Sequence, residues 1–185
     1  MLTQIFATPI YRGVLGESES SRTRLKERTL ELYEKYNNNG KPWSRSTRQS
    51  LEECDAIFKP IFAAVKQRAE LEYGVKIASI TGRELVQKEH DFVPPHVESS
   101  HLSAIYWIDC DAHPDGSKDE HDGCLVLNHP AGTFGSKCLP DERRNYVVEP
   151  RPDALLIFPS HILHFGHVYL GKRPSVEIHF EMEIA

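Results

Sequence analysis

The N-terminal part of the chain has hydrophobic residues at helical spacing. A weakly amphipathic stripe between positions 20 and 36 predicts a first helix, and a clearer stripe between positions 51 and 65 predicts a second. Ser50 and Glu53 have the spacing of a capping box at the start of the second helix. Pro60 lies inside that stripe and should bend the helix or delay its start. We expect both stripes to cover a sheet.

From residue 76 onward the pattern changes to short β-rich runs separated by Pro, Gly and Asp. The runs are KIASITG, RELVQKE, HLSAIYWID, GCLVLNH, YVVEP, DALLIFP and SVEIHFEMEI. Short strands without intervening helical patterns are typical of an antiparallel sandwich or barrel. An apolar opening at residues 5–11 predicts an edge strand. We therefore predict one mainly β domain, a jelly roll over residues 76–185 supported by two or three helices within residues 1–75.

Composition narrows the classes of partner. The chain of 185 residues has 22 basic and 27 acidic side chains, a net charge of −5, which argues against a nucleic-acid partner. We find no signal peptide and no apolar run near the roughly 18 residues of a membrane span, so we expect a soluble, cytoplasmic protein without a membrane partner. The four cysteines form no C-x-x-C pair and are interpreted as reduced thiols. All ten histidines lie between His90 and His179, which places any chemistry in the C-terminal half.

His96 and Glu98 are two positions apart in an extended segment that follows two prolines. In a strand such positions face the same side about 6.6 Å apart, so the imidazole and the carboxylate can converge on one ion. A third histidine from a distant strand would complete the 2-His-1-carboxylate triad of non-haem Fe(II) oxygenases. The segment after F-P-S offers three candidates, His161, His164 and His167. The H-x-E pair alone is a weak signal, because an exposed polar edge gives the same tripeptide.

The last predicted strand has one polar and one apolar face. Arg173, Ser175, Glu177 and His179 alternate with apolar residues and therefore share a face. The guanidinium and hydroxyl at its start fit the distal carboxylate of a dicarboxylic cosubstrate. The polar face is either a solvent face or the lining of a site inside a barrel, with the apolar face packed on the N-terminal helices.

The order and spacing of these motifs resemble the 2-oxoglutarate/Fe(II)-dependent dioxygenases, and within them the small prolyl-hydroxylase-like oxygenases. The resemblance covers residues 83–184 through H-V-E, L-S-A-I-Y-W-I-D, D-G-C-L-V-L, P-R-P-D-A-L-L-I-F-P-S-x-x-x-H and R-P-S. It implies a cupin-like double-stranded β-helix that binds Fe(II) and the carboxylate of 2-oxoglutarate. The residues implied are His96, Glu98 and His164 for iron, and Arg173 and Ser175 for the carboxylate. His164 is preferred because it closes the F-P-S-x-x-x-H pattern and lies nine residues before the arginine.

Two positions depart from that family pattern. Glu98 stands where the family usually has Asp, which should alter the geometry without loss of iron. Trp107 stands where relatives often have a Tyr that reaches the cosubstrate, and Tyr106 and Gln87 are candidate substitutes for that contact.

The resemblance predicts an enzyme that hydroxylates an unactivated C–H bond of a small molecule, such as an amino acid or a biosynthetic intermediate. The reaction would consume O2 and 2-oxoglutarate, release succinate and CO2, and be stimulated by ascorbate. The alternatives are a non-catalytic jelly-roll or cupin-like metal- or ligand-binding module and a protein side-chain hydroxylase. A zinc hydrolase using the three clustered histidines fits poorly, because i, i+3, i+6 spacing does not align on a strand.

Several surface features stay open at this point. Four arginines are candidates for a substrate carboxylate but are interpreted as surface residues: Arg83, Arg143, Arg144 and Arg151. The acidic segment 109–122 is predicted to be a loop, with a lid or rim over the site as one hypothesis. A homodimer through the N-terminal elements is left open.

Overall fold

The computed structural model describes residues 8–36, 50–111, 121–129 and 145–185. The helices are α1 (Glu19–Tyr36), α2 (Leu51–Cys54) and α3 (Lys59–Tyr73), with a 3-10 turn at Ala56–Phe58 between the last two. The strands are β1 (Tyr11–Val14), β2 (Ile77–Gln87), β3 (Val93–His96), β4 (Leu102–Asp109), β5 (Leu125–Asn128), β6 (Asn145–Val148), β7 (Ala154–Pro159), β8 (His164–Gly166) and β9 (Ser175–Ile184). Within the described ranges, no helix is long and apolar enough to cross a membrane.

The strands form two antiparallel sheets. A five-stranded sheet has the order β1-β7-β4-β9-β2, and a four-stranded sheet has the order β3-β8-β5-β6. The chain passes repeatedly from one sheet to the other between β2 and β9, which is the winding of a jelly roll. The predicted mainly β fold with N-terminal helical support is confirmed.

The outer face of the five-stranded sheet packs against the helices. The even-numbered residues of β9, from Val176 to Met182, are buried in one cluster with side chains of all three helices. Phe62 of α3 meets Phe180 edge to face, with ring centroids 5.0 Å apart. The apolar face of the last strand therefore has the role predicted for it, and the helical stripes have the sheet that they need.

The odd-numbered residues of β9 face the space between the two sheets. Ser175 and Glu177 are buried at 1 % and 4 % exposure. A second apolar cluster, which includes Ile105 and Trp107 of β4 and Leu125 of β5, shares this interior. Of the two interpretations of the polar face, the interior lining is right for Ser175, Glu177 and His179, whereas Arg173 is exposed.

Strand β2 is one continuous strand of 11 residues, where the sequence predicted two runs divided at Gly82. A Cβ at Gly82 would lie 2.6 Å from Phe62 Cζ and 2.9 Å from Phe180 Cδ1. Glycine is present here because the two rings approach the backbone closely, and it causes no turn.

The capping box at Ser50 is also wrong. Ser50 makes no side-chain cap bond with α2, and its hydroxyl instead accepts the Gly82 N–H at 3.0 Å. Because β2 is an edge strand, this bond satisfies a backbone donor that no neighbouring strand reaches. Asp55 performs the capping by accepting the Ile57 N–H at 3.0 Å. Pro60 lies in the first turn of α3 and delays its start, as predicted.

The predicted N-terminal edge strand exists but begins later. Strand β1 starts at Tyr11 and pairs with β7 at the edge of the large sheet. Residues 5–7 of the predicted strand lie outside the described residues.

Candidate metal centre and its cavity

The three predicted metal ligands lie together at one end of the small sheet. His96, at the end of β3, pairs directly with His164, at the start of β8, and their ring centroids are 4.2 Å apart. Glu98 follows in the next segment, with Oε1 3.5 Å from His96 Nε2. The Glu98 N–H donates to the Ser160 carbonyl at 3.1 Å, which ties this segment to the end of β7. Register and one backbone bond thus bring all three side chains to one place.

Both histidines present the same ring nitrogen. His96 Nδ1 lies 2.8 Å from the Pro94 carbonyl oxygen, and His164 Nδ1 lies 2.9 Å from the Ile162 carbonyl oxygen. A carbonyl only accepts, so each Nδ1 carries a proton, which leaves Nε2 as the nitrogen that a metal would bind. Hydrogen bonding of the other nitrogen to a backbone carbonyl is the usual arrangement of metal-binding histidines.

The protonation state suits a ligand as well. Burial lowers the pKa of His164 to about 4, so its imidazole is neutral at neutral pH. Phe158 packs its ring at 73° against the His164 ring and fixes its orientation. Two imidazoles and a carboxylate are a donor set for Fe(II).

The three candidate ligands do not yet surround a common metal position. In the part of the chain that the structure describes, no group of three His, Cys, Asp or Glu side chains already has the geometry to hold a metal ion. Glu98 instead contacts His96 Nε2 directly. The residues therefore fit a metal in kind and in place, and the Glu98–His96 contact is the one that a cation would replace.

The metal centre opens into a cavity of about 180 Å³ between the sheets. This volume is below the roughly 300–1,000 Å³ of common ligand pockets, so it suits a small ligand. Its apolar wall includes Ile105 and Phe158. The polar lining residues beyond the metal centre are Arg83, Glu84, Ser103, His179 and Glu181.

The inner face of β9 carries a short hydrogen-bonded chain. The Ser175 hydroxyl donates to Glu177 Oε1 at 2.9 Å, and His179 Nε2 donates to Glu177 Oε2 at 2.9 Å. Glu177 is thereby held as a buried carboxylate with a donor on each oxygen. The hydroxyl predicted to assist a cosubstrate carboxylate binds a carboxylate of the protein itself.

Arg173, the predicted cosubstrate anchor, does not line the cavity. Its side chain is 59 % exposed, with Nη2 3.0 Å from Asp111 Oδ1. Its backbone N–H also donates to Asp111, and Asp109 lies 3.8 Å from the guanidinium. The reason is that β9 begins only at Ser175, and that Asp109 and Asp111, at and just after the end of β4, supply the nearest negative charge. Arg173 as anchor stays a prediction that requires an exchange of Asp111 for the ligand.

Tyr106 and Gln87, the two residues predicted to replace the family's tyrosine contact with the cosubstrate, lie in different environments. Tyr106 faces the helical side of the sheet, and its hydroxyl donates to Asp153 at 3.1 Å, so it is not a cavity contact in this structure. Trp107 has the opposite parity and faces the interior. Gln87 lies across from Ser175 and is buried, with no acceptor for Nε2 among the described residues. Gln87 therefore remains a candidate contact.

Sequence reasoning misplaced Arg83. It was interpreted as a surface residue, yet it lines the cavity directly across from His179 of β9. The signal lay in its strand parity with Gln87, since both residues belong to the predicted run RELVQKE. Arg151 is exposed and pairs with Glu149, in agreement with a surface role. Arg143, Arg144 and most of the acidic segment lie outside the described residues.

The fold and the donor set together define a double-stranded β-helix with two histidines and a carboxylate at one end. The chain matches no protein-family model and no curated protein. Among solved structures it is similar to a Pseudomonas putida prolyl-4-hydroxylase, with a TM-score of 0.64 and 12% identity over 95% of this chain and 88% of that one.

Two further solved structures have the same fold. HygX from Streptomyces hygroscopicus, with nickel, 2-oxoglutarate and hygromycin B bound, has a TM-score of 0.68 and 9% identity over 95% of this chain and 83% of that one. A Trichoplax adhaerens prolyl hydroxylase in complex with a hypoxia-inducible-factor peptide has a TM-score of 0.57 and 14% identity over 94% and 83%. The chain has the fold of the 2-oxoglutarate/Fe(II)-dependent oxygenases, as its motifs predicted.

Proposed function

We propose that this protein is an Fe(II)- and 2-oxoglutarate-dependent oxygenase. The observation that carries the proposal is the meeting of His96, Glu98 and His164, with both histidine Nδ1 atoms bound to backbone carbonyls. The shared fold supports it, because HygX, with that fold, holds nickel and 2-oxoglutarate.

Three residues of the chain would hold the metal ion. His96 and His164 would bind the metal through Nε2, and Glu98 would bind it through its carboxylate and balance part of its charge. When bound there, Fe(II) supplies activation of dioxygen for attack on a C–H bond. Phe158 and Ile105 would give this end of the cavity an apolar wall beside the metal.

The proposed reaction hydroxylates a small molecule, such as an amino acid or a biosynthetic intermediate, with succinate and CO2 as co-products and ascorbate as a stimulant. The small cavity volume supports a compact substrate. Binding of 2-oxoglutarate by Arg173, Ser175 and Gln87 is not assembled in this structure, so we assign no further step to these residues.

The metal-binding half of the proposal is tested by anaerobic titration of Ni(II) into the purified protein, followed by calorimetry. We expect about one equivalent to bind to the wild type, and we expect His164→Ala to lose that binding. His161→Ala is the matched control, because His161 is exposed and three residues away. Full Ni(II) affinity in His164→Ala with loss in His161→Ala would overturn the ligand assignment.

The catalytic half is tested by succinate release from 2-oxoglutarate under Fe(II), ascorbate and oxygen, with a panel of amino acids as substrates. We expect succinate release that His164→Ala abolishes. Tight metal binding without 2-oxoglutarate consumption under any condition would favour the binding module instead.

A further inference from the structure

Arg83 lines the cavity at the candidate metal centre, and no partner for it lies among the described residues. Its side chain is half-buried and lies across from His179, on the inner face of the large sheet. Among the residues that the structure describes, it makes no hydrogen bond and no ion pair. Glu98 and Glu181 line the same cavity, and neither forms an ion pair with it.

The other half-buried arginines of the described chain are all paired. Arg22 donates to the Glu17 carbonyl, Arg28 binds Glu31 and Asp55, and Arg68 binds Glu72. A partly desolvated guanidinium without an acceptor is costly, so such groups normally have one. Arg83 is also the only lysine or arginine among the described lining residues. No described residue supplies that acceptor, so the guanidinium is available to a ligand that enters the cavity.

We infer that Arg83 binds a carboxylate of that ligand. The planar guanidinium fork matches a carboxylate through two parallel hydrogen bonds. Glu98 and Glu181 already make the cavity acidic, which favours a singly charged carboxylate over a doubly charged phosphate. The inference rests on the proposed function in one respect, because the cavity is the one into which the candidate metal centre opens. The carboxylate belongs either to 2-oxoglutarate or to the primary substrate.

The test compares Arg83→Ala, Arg83→Lys and Arg173→Ala, with Arg151→Ala as the matched surface control. Each variant is loaded with Ni(II) and titrated by calorimetry, first with 2-oxoglutarate. The second arm titrates the twenty free amino acids in the presence of saturating 2-oxoglutarate. Circular dichroism checks each fold, and Arg83→Lys, which keeps the charge, covers the case in which Arg83→Ala does not fold.

If 2-oxoglutarate is the source, Arg83→Ala loses at least about 30-fold in its affinity, Arg83→Lys loses less, and Arg151→Ala binds as the wild type does. Arg173→Ala shows by comparison whether Arg173 contributes to the same binding. If the substrate is the source, 2-oxoglutarate binds Arg83→Ala normally, and an amino acid that binds the wild type loses at least about 30-fold in that variant.

The inference is wrong if neither 2-oxoglutarate nor any amino acid of the panel depends on Arg83, including the case in which none of the panel binds the wild type. A wild type that fails to bind Ni(II) contradicts the proposed function instead. The same two titrations on the metal-free protein then still decide the role of Arg83.

Discussion

Glu98 is the carboxylate that lies against His96, with 17 % of its side chain exposed. Glu98→Ala removes a negative charge and a donor, so it should weaken Ni(II) binding by more than the roughly 10- to 100-fold that loss of an outer-shell partner costs. Glu98→Asp should retain part of the affinity, because strand movement can absorb one methylene. Calorimetric titration measures both effects. Glu183→Ala, at the exposed end of β9, is the control, and equal affinity in Glu98→Ala and the wild type contradicts the assignment.

Residues whose geometry is local could be predicted from the sequence. His96 and Glu98 are two positions apart on an extended segment, and that spacing alone puts them on one side. Arg173 could not be placed in the same way. Its position depends on Asp111, which is 62 residues away and competes for the same guanidinium. A pattern shows that an arginine is available, but it does not show which acceptor is nearest.

Among the elements, β2 and α3 meet most closely at Gly82. In Gly82→Ala the new Cβ would press on the rings of Phe62 and Phe180, at a cost of roughly 1–3 kcal/mol. Reduced freedom of the unfolded chain offsets about 0.4–1 kcal/mol of that cost, so a net loss of up to about 2.6 kcal/mol is expected. Urea unfolding measures it, with Thr81→Ala on the exposed face of β2 as control. An unchanged unfolding midpoint in Gly82→Ala would mean that the rings yield without cost.

Tyr73 ties the end of α3 to the sheet, because its hydroxyl donates to the Ile157 carbonyl at 2.8 Å. Burial raises its pKa from 10.0 to about 12. A raised pKa in the folded state gives stability that is complete below pH 10 and is lost as the pH rises from 10 towards 12. Tyr73→Phe should lose about 1 kcal/mol at pH 8 and then decline less than the wild type in that window. Urea unfolding across this pH range tests the prediction.

The exposed Tyr36 provides the comparison for this experiment, since Tyr36→Phe should follow the wild-type profile. Parallel declines of the wild type and Tyr73→Phe above pH 10 would show that the hydroxyl of Tyr73 does not contribute.

Periodicity predicted the type of each element, but it did not predict where each element begins and ends. The apolar stripe at positions 51–65 correctly predicted which side chains face the core. The segment is nevertheless divided into α2, a 3-10 turn and α3. The division depends on Asp55, which caps the turn and also binds Arg28 Nε at 2.8 Å. Ser50 had the better local motif, yet the unpaired edge of β2 takes its hydroxyl. Tertiary partners therefore decided both ends.

For the whole molecule, metal binding and stability should be linked. A ligand that binds only the folded state stabilises it by about 2.7 kcal/mol at a concentration 100 times its dissociation constant. Ni(II) at that level should therefore raise the melting temperature of the wild type and leave that of His164→Ala unchanged. Thermal melts with and without a chelator measure the shift. A similar rise in both proteins would point to metal bound elsewhere.

The segment that carries His96 is joined weakly to its sheet. Strand β3 pairs with β8 at Val93 and His96 only, and the two residues between them are prolines, which have no N–H to donate. The strands of the large sheet, by contrast, are joined along much longer ladders. Local opening near His96 should therefore require far less free energy than global unfolding, so its backbone amides exchange with deuterium early. A bound ion that joins β3 to β8 would slow that exchange, and the metal centre would then be the most rigid part of the small sheet when filled and the most labile when stripped.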